Sequence, residues 1–140
     1  IWELNFSGIQ NYFINVMAAN DPSSTFNIYQ QIQPMIGESP VCIFLNTRDD
    51  RRYRTHQLFD LVFSRIKPDV LIVRGEKMTK QLQHYNRAYP QIAVIQFPYD
   101  SSIQELATEF SKLDGYYIIG IGNMVGWGEQ FIQDLKKYRS

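Results

Sequence analysis

The sequence has little of what several classes of protein require. It contains one cysteine, Cys42, so an internal disulfide is impossible and a reducing compartment is expected. Its 14 basic residues equal its 14 acidic residues, and the general positive excess typical of nucleic-acid scaffolds is therefore missing. No apolar run approaches the roughly 20 residues of a membrane span, and the first residues lack the pattern of a signal peptide. We expect a cytoplasmic polypeptide that binds no nucleic acid.

The familiar catalytic and cofactor motifs are missing as well. The sequence has no GxxxxGK[ST] segment, so it cannot by itself hold ATP in a phosphate-binding loop. His56 and His84 lie in helical segments without the ligand spacing of a metal site, and no Ser/His/Asp pattern or nucleophile elbow is present. The sequence starts without Met, at Ile1, inside a strand-like pattern. We therefore expect it to be part of a longer protein.

What the sequence does contain is a regular alternation of short apolar runs with segments of helical periodicity. The runs are residues 11–19, 41–45, 69–73, 92–97 and 116–122. Each is almost wholly apolar, as expected for strands that are covered on both faces. The segments between them carry apolar stripes at helical spacing, such as Ile103, Leu106 and Phe110, which predict helices packed on a core.

Repeated strand and helix units joined by short loops predict a parallel sheet with right-handed crossovers and helices on both faces. Residues 1–6 form one further strand-like segment, joined to the first run by Ser7 and Gly8. This link is too short for a crossover and predicts an antiparallel pair. We predict an α/β fold, a doubly wound, Rossmann-like three-layer sandwich of five parallel strands plus one antiparallel N-terminal strand, with residues 1–140 as a single domain.

In such sheets ligands bind beyond the carboxyl ends of the strands, where loops lead into helix N-termini. The five strand exits are residues 18–25, 46–55, 74–76, 97–102 and 120–128. The exit at 97–102 is interpreted as a turn and a helix cap. The remaining exits are the places where binding residues are expected.

The exit at 46–55, NTRDDRRYRT, concentrates the positive charge of the chain. It holds four arginines, Arg48, Arg51, Arg52 and Arg54. Arginine suits a bidentate grip on carboxylate or phosphate, and Asp49 and Asp50 could hold the guanidinium groups in register. The alternative is a surface ion-pair cluster, which would contribute little. The position at a strand exit favours anion recognition.

The first exit has two interpretations that stay open. Asn20 or Asp21 can cap a helix that begins at Pro22, and a cap alone explains most of the pattern. The combination of Asn, Asp and three hydroxyl residues, Ser23, Ser24 and Thr25, also suits ligand contact.

The last exit, GIGNMVG, superficially resembles a dinucleotide fingerprint. Such a fingerprint belongs to the first strand-turn-helix unit, with an acidic residue at the end of the next strand, and no strand follows here. Gly120, Gly122 and Gly126 therefore predict a tight turn and close helix packing, with Asn123 directed into the shared crevice.

Four of these segments together resemble one family. AANDPSST, NTRDDRRYRT, the Gly-Glu pair at 75–76 and GIGNMVG match, in order and spacing, the C-terminal domain of the poly-γ-glutamate synthase ligase subunit, a capsule-forming relative of the Mur ligases. The resemblance spans about residues 12 to 138. It implies the C-terminal part of an ATP-dependent amide ligase, inactive alone, that adds glutamate to a poly-γ-glutamate chain through an acyl phosphate.

The resemblance also implies partners, cofactors and site residues. An upstream domain of the same chain would bind most of the ATP and Mg²⁺, and membrane subunits of a synthase complex would associate with the full protein. Asn20 and Asp21 would lie on the nucleotide side. The residues implied on the side of glutamate and polyglutamate are Asn46, Arg48, Asp50, Arg51, Arg54, Gly122 and Asn123.

Two other functions remain open from the residues alone. A stand-alone binding module could use the arginines as a docking patch on the same fold. A nicotinamide-dependent oxidoreductase is disfavoured by the late and incomplete glycine pattern. A GxxxxGK[ST] segment upstream in the complete protein would separate the ligase from the docking module.

Overall fold

The computed structural model describes residues 1–19, 21–48 and 52–140. Within them the chain forms a single mixed sheet with helices on both faces. The strands are β1 (Trp2–Phe6), β2 (Ile9–Asn15), β3 (Val41–Asn46), β4 (Val70–Gly75), β5 (Ala93–Pro98) and β6 (Tyr117–Gly122). The helices are α1 (Pro22–Ile36), α2 (Arg52–Leu61), α3 (Thr79–Ala88), α4 (Ile103–Phe110) and α5 (Trp127–Leu135). A π-helical turn (Val62–Ile66) follows α2, and a 3₁₀ turn (Lys136–Tyr138) follows α5.

The strand order is β1-β2-β6-β3-β4-β5, and every pair except β1 with β2 is parallel. The predicted α/β architecture of five parallel strands and one antiparallel N-terminal strand is therefore confirmed. Ser7 and Gly8 turn the β1–β2 hairpin with φ values of 55° and 96°. Two consecutive positive φ angles give the two-residue turn whose twist matches an antiparallel pair.

The two faces of the sheet hold separate apolar cores. Ile43 and Leu45 of β3 pack with α1, α2 and α3, whereas Cys42 and Phe44 pack with α4 and α5. Every residue of β3 is buried, because alternate side chains meet a helical layer on either side. The apolar stripe of α4, which includes Leu106 and Phe110, is buried as the sequence predicts. None of the helices in the described ranges is long and apolar enough to cross a membrane.

The first parallel strand is shorter than predicted. The sequence suggests a strand through residue 19, but β2 ends at Asn15. The Asn15 side chain accepts a hydrogen bond from the backbone N–H of Met17 at 3.0 Å, and Ala19 N–H bonds back to the Val16 carbonyl at 3.2 Å. A local asparagine turn thus competes successfully with strand extension.

The position of β6 creates the crevice of this fold. β6 lies between β2 and β3, although it is the last strand in sequence. The chain leaves β3 toward α2 on one face and leaves β6 toward α5 on the other. Neighbouring strands whose exits diverge in this way mark the topological switch point at which α/β sheets bind ligands.

Candidate functional site

A small cavity lies at this switch point, between the carboxyl ends of β3 and β6. Its volume is about 30 Å³, enough for one or two groups the size of a water molecule. Its lining residues come from β3, the start of α2 and the end of β6: Leu45, Asn46, Thr47, Arg48, Arg54, Thr55, Leu58, Gly122 and Asn123. The cavity can hold one small polar group, such as a carboxylate, while the rest of a larger molecule lies outside.

The upper wall of the cavity is cationic and rich in hydroxyls. Arg48 follows β3 and Arg54 lies in the first turn of α2, and both are half-buried. The side chains of Thr47 and Thr55 are buried beside them, each 3% exposed. The N-terminus of α2 adds its partial positive charge at the same edge. Guanidinium groups and hydroxyls around a small space are suited to the oxygens of an anion.

The floor of the cavity is built by two asparagines. Asn123 N–H donates to the Asn46 carbonyl at 2.7 Å, and the Asn46 side-chain Nδ2 donates to the Asn123 carbonyl at 2.8 Å. Asn46 is fully buried. The two hydrogen bonds join the end of β3 to the loop after β6 and fix the distance between the two exits.

Glycine is required where these exits meet. Gly122 has a φ of +96°, and a Cβ added there would lie 2.3 Å from the Asn46 carbonyl oxygen. Gly128 lies in α5, and a Cβ there would approach the Asn123 carbonyl oxygen to 2.7 Å. Both distances are too short for any side chain. The tight turn predicted at Gly122 is confirmed, whereas the close helix packing falls on Gly128 and not on the predicted Gly126, where an added Cβ would meet nothing within 4 Å.

Behind the floor lies Arg74, the last but one residue of β4, which is only 6% exposed. Its Nη1 donates to Asn46 Oδ1 at 3.0 Å, and its Nη2 donates to the Tyr99 carbonyl at 2.5 Å. The guanidinium carbon lies 4.3 Å from the ring centre of Trp127 and 5.0 Å from that of Tyr99. Burial lowers the pKa of Arg74 from its ordinary value.

The sequence analysis named the exit at 74–76 but assigned no role to Arg74. The signal was available, because Arg74 directly follows the apolar run at 69–73 and stands at a strand exit. An arginine at the end of a buried strand has to find its hydrogen-bond partners within the fold. Which partners it finds depends on the strand order, which the sequence pattern does not specify.

Thr47 joins the exits of β3 and β4. The Glu76 N–H donates to Thr47 Oγ1 at 3.1 Å, and Thr47 Oγ1 donates to the Arg74 carbonyl at 3.3 Å. A Cβ on Gly75, which has a φ of +132°, would lie 2.0 Å from Thr47 Oγ1. Gly75 therefore permits the close approach of the Thr47 side chain to β4.

Arg52 has a different environment from Arg48 and Arg54. Its Nε forms an ion pair with Glu76 Oε1 at 2.5 Å, and it does not line the cavity. The ion-pair interpretation therefore applies to Arg52. The predicted pairing of the arginines with Asp49 and Asp50 lies outside the described residues.

The structure brings together five of the residues assigned to the substrate side. These are Asn46, Arg48, Arg54, Gly122 and Asn123, all of which line the cavity. Asp50 and Arg51, also assigned to that side, lie outside the described residues, as does Asn20 of the nucleotide side. What each of these residues binds stays a prediction.

Asp21 caps α1, as one of the two interpretations of the first exit predicts. Its Oδ1 accepts a hydrogen bond from Ser24 N–H at 2.9 Å, and Pro22 is the first helical residue. This hydrogen bond lowers the pKa of the Asp21 carboxyl, and the positive charge of Arg54 contributes to the lowering. The cap and the cavity therefore lie on the same edge of the sheet, within electrostatic range of each other.

The cavity at the β3–β6 crevice is far smaller than a nucleotide. Within residues 1–19, 21–48 and 52–140, no group of three His, Cys, Asp or Glu side chains could hold a metal ion.

Comparison with known families shows which family the chain belongs to. Residues 1–138 match the family model described as "Poly-gamma-glutamate synthase CapB C-terminal domain". The chain belongs to this family. The resemblance seen in the four sequence segments is thereby confirmed over nearly the whole chain.

Two curated relatives support the assignment. The chain is 30% identical over 132 residues to "PGA synthase CapB" of Bacillus subtilis (strain 168). The aligned region covers 91% of the chain and 33% of the relative. It is 39% identical over 67 residues to "Capsule biosynthesis protein CapB" of Bacillus anthracis, covering 46% of the chain and 14% of the relative. The chain thus spans about a third of the length of the first relative and a smaller part of the second.

Proposed function

We propose that the chain is the substrate-closing domain of an ATP-dependent amide ligase that adds glutamate to a poly-γ-glutamate chain. The family supports the polymer, because its model is named for poly-γ-glutamate synthase. The observation that carries the proposal is the cavity at the β3–β6 crevice, where Arg48 and Arg54 stand beside the buried hydroxyls of Thr47 and Thr55. Its size and charge suit one carboxylate.

In this proposal the chain binds and orients the substrate. Arg48 and Arg54 donate hydrogen bonds to one carboxylate of the incoming glutamate or of the polymer end. Arginine is suited to this because its planar fork matches the two oxygens of a carboxylate. A polymer of glutamate carries many negative charges, so the same edge also attracts it electrostatically. Asp50 and Arg51 are assigned to this side by the resemblance.

The chemistry consists of two steps that other residues complete. ATP transfers its γ-phosphoryl group to a carboxylate of the growing chain, and the amine of glutamate then attacks the acyl phosphate and releases phosphate. Holding the amine in line with the acyl carbon accelerates this step through proximity and orientation. The chain alone is therefore expected to be inactive.

The remaining partners follow from the same proposal. ATP and Mg²⁺ are held mainly by an upstream domain of the complete protein, and Asn20 and Asp21 face its nucleotide. Membrane subunits of the synthase complex associate with the complete protein at the cytoplasmic side. The exit at 18–25 and the cavity share one edge of the sheet, so a single neighbouring domain could cover both.

The test is glutamate-dependent ATP turnover by the complete protein carrying Arg48→Ala or Arg54→Ala. We expect kcat/KM for glutamate to fall tenfold or more, since a lost charge-assisted hydrogen bond is worth about 1.5 to 3 kcal/mol. Arg51→Ala is expected to behave in the same way. Arg87→Ala provides the control, because Arg87 lies exposed on α3, away from the cavity.

Unchanged turnover in both cavity variants would remove the substrate role of these arginines. An equal loss in Arg87→Ala would show that turnover responds to the overall charge of the protein and not to the arginines of the cavity. A complete protein without a GxxxxGK[ST] segment would favour the docking module instead.

A further inference from the structure

We propose that Arg74 is a positioning residue that fixes the Asn46 amide and the Asn123 loop at the floor of the cavity and thereby sets its affinity for anions. The identity of the anion, a carboxylate, rests on the proposed function. The positioning role rests on the contacts of Arg74 alone. Arg74 does not line the cavity; it acts on the cavity through the orientation of the Asn46 amide and through its buried charge.

The partners of the Arg74 guanidinium are neutral. Among the described residues it bonds to the side-chain oxygen of Asn46 and the backbone oxygen of Tyr99, and it stacks against Trp127. None of the ion pairs among these residues includes Arg74. Its Nε is buried and has no hydrogen-bond partner among the described residues. A positive charge is therefore buried behind the cavity, and no carboxylate in the described part of the chain forms an ion pair with it.

Stability by itself is a poor explanation of this arrangement. Removing a guanidinium from water is costly, and a buried charge is normally paired. An apolar residue of similar size would fill the space between the sheet and Trp127 without that cost. The charge has a use, however, if an anion binds on the other side of Asn46, because a buried cation is weakly screened by water.

Arg74 also determines which way the Asn46 amide faces. The oxygen and nitrogen of an asparagine side chain are nearly equal in shape, so packing alone does not choose between the two orientations. The Nη1 donor of Arg74 requires Oδ1 on its side, which places Nδ2 against the Asn123 carbonyl. In the opposite orientation two oxygens would face each other at the β6 exit, and the loop that carries Asn123 would lose this bond.

The experiment uses the 140-residue chain with ¹⁵N at asparagine, in the wild type and in Arg74→Lys and Arg74→Gln. Lysine keeps the charge without the planar fork, whereas glutamine keeps a donor without the charge. Arg65→Lys is the matched control, because Arg65 also lies over an aromatic ring, 4.1 Å from the centre of Phe26, away from the cavity. Side-chain amide signals report the orientation of Asn46 and the Asn123 loop.

The same samples are titrated with glutarate, a dicarboxylate, and with glutaramide, its uncharged diamide. We expect both Arg74 variants to shift the Asn46 and Asn123 amide signals and to speed exchange of the Asn46 Nδ2 protons tenfold or more. We expect glutarate affinity to fall tenfold or more in Arg74→Gln and by a smaller factor in Arg74→Lys. Arg65→Lys should match the wild type in every measurement.

Unchanged amide signals in Arg74→Lys, with wild-type affinity for glutarate, would overturn the inference and leave the proposed function standing. If Arg74→Gln does not fold, the amide signals and the glutarate affinity of Arg74→Lys alone decide whether Arg74 positions Asn46. If the wild-type chain binds glutarate no better than glutaramide, the proposed function and the anion affinity attributed to Arg74 both fail. Shifted amide signals in the variants would then still show that Arg74 positions Asn46.

Discussion

Asn46 and Asn123 hold each other through two hydrogen bonds, backbone to backbone at 2.7 Å and side chain to backbone at 2.8 Å, across 77 residues of sequence. This pair closes the floor of the cavity and joins the two strand exits that diverge to opposite faces of the sheet.

Gly122→Ala is expected to destabilise the protein far more than Gly115→Ala. Both glycines have positive φ, +96° and +75°, so both variants carry roughly 1 to 2 kcal/mol of backbone strain. Only at Gly122 would the new methyl group meet a carbonyl oxygen, that of Asn46, at 2.3 Å. Relieving such overpacking costs about 1 to 3 kcal/mol more. Urea unfolding of the two variants measures the difference, and equal losses would mean that the β3–β6 exit is not tightly packed.

Asn11→Leu is expected to lower the free energy of unfolding by about 2 to 4 kcal/mol. Asn11 is fully buried; its Nδ2 donates to the Leu113 carbonyl at 2.9 Å and its Oδ1 accepts from Tyr116 N–H at 2.9 Å. Leucine would leave both backbone groups partly buried and without these partners, and an unsatisfied buried group costs about 1 to 3 kcal/mol. The control is Asn5→Ala at the exposed hairpin. A loss no larger than that of the control would contradict the assigned role of Asn11.

Asp21→Asn is expected to change the pH dependence of stability. The carboxyl has a lowered pKa in the folded chain, chiefly because it accepts the Ser24 N–H. The carboxylate therefore stabilises the fold above its unfolded pKa of about 4, and this contribution is lost as the pH falls through the folded value. Tm measured from pH 7 to pH 2 should show the wild type losing its advantage over the variant in acid. A constant difference would contradict the assignment.

Cys42 is expected to be unreactive in the folded protein. The thiol is fully buried in β3, and burial raises its pKa well above the usual range. Because the thiolate is the reactive form, a disulfide reagent should modify Cys42 at least about a hundredfold more slowly in buffer than in 8 M urea. Comparable rates in both solvents would mean that this strand opens readily.

Much of the fold follows from local patterns. The apolar run at 41–45 appears as β3, and the stripe through Leu106 and Phe110 is the buried side of α4. These predictions succeed because burial on both faces of a strand and on one face of a helix leaves a period in the sequence. The strand limit near residue 19 was wrong because the Asn15 side chain captures the backbone of Met17.

The candidate site could be predicted only in part. Arg48 and Arg54 were found because a cluster of arginines at a strand exit stands out in a chain without net charge. Arg74 was missed because its importance depends on what lies next to it. Its partners Asn46 and Trp127 are distant in sequence, and only the packed sheet brings them within reach of its guanidinium.

The sequence by itself determined the alternation of strands and helices, the hairpin at Ser7 and Gly8, and the edge of the sheet at which binding groups accumulate. Those features depend on side-chain polarity and backbone preference over a few residues. Only the tertiary structure decided that β6 lies between β2 and β3, and with it the contact of Asn46 with Asn123 and the burial of Arg74 behind them. Strand order is set by the packing of helices on both faces at once, and no short stretch of sequence contains that information.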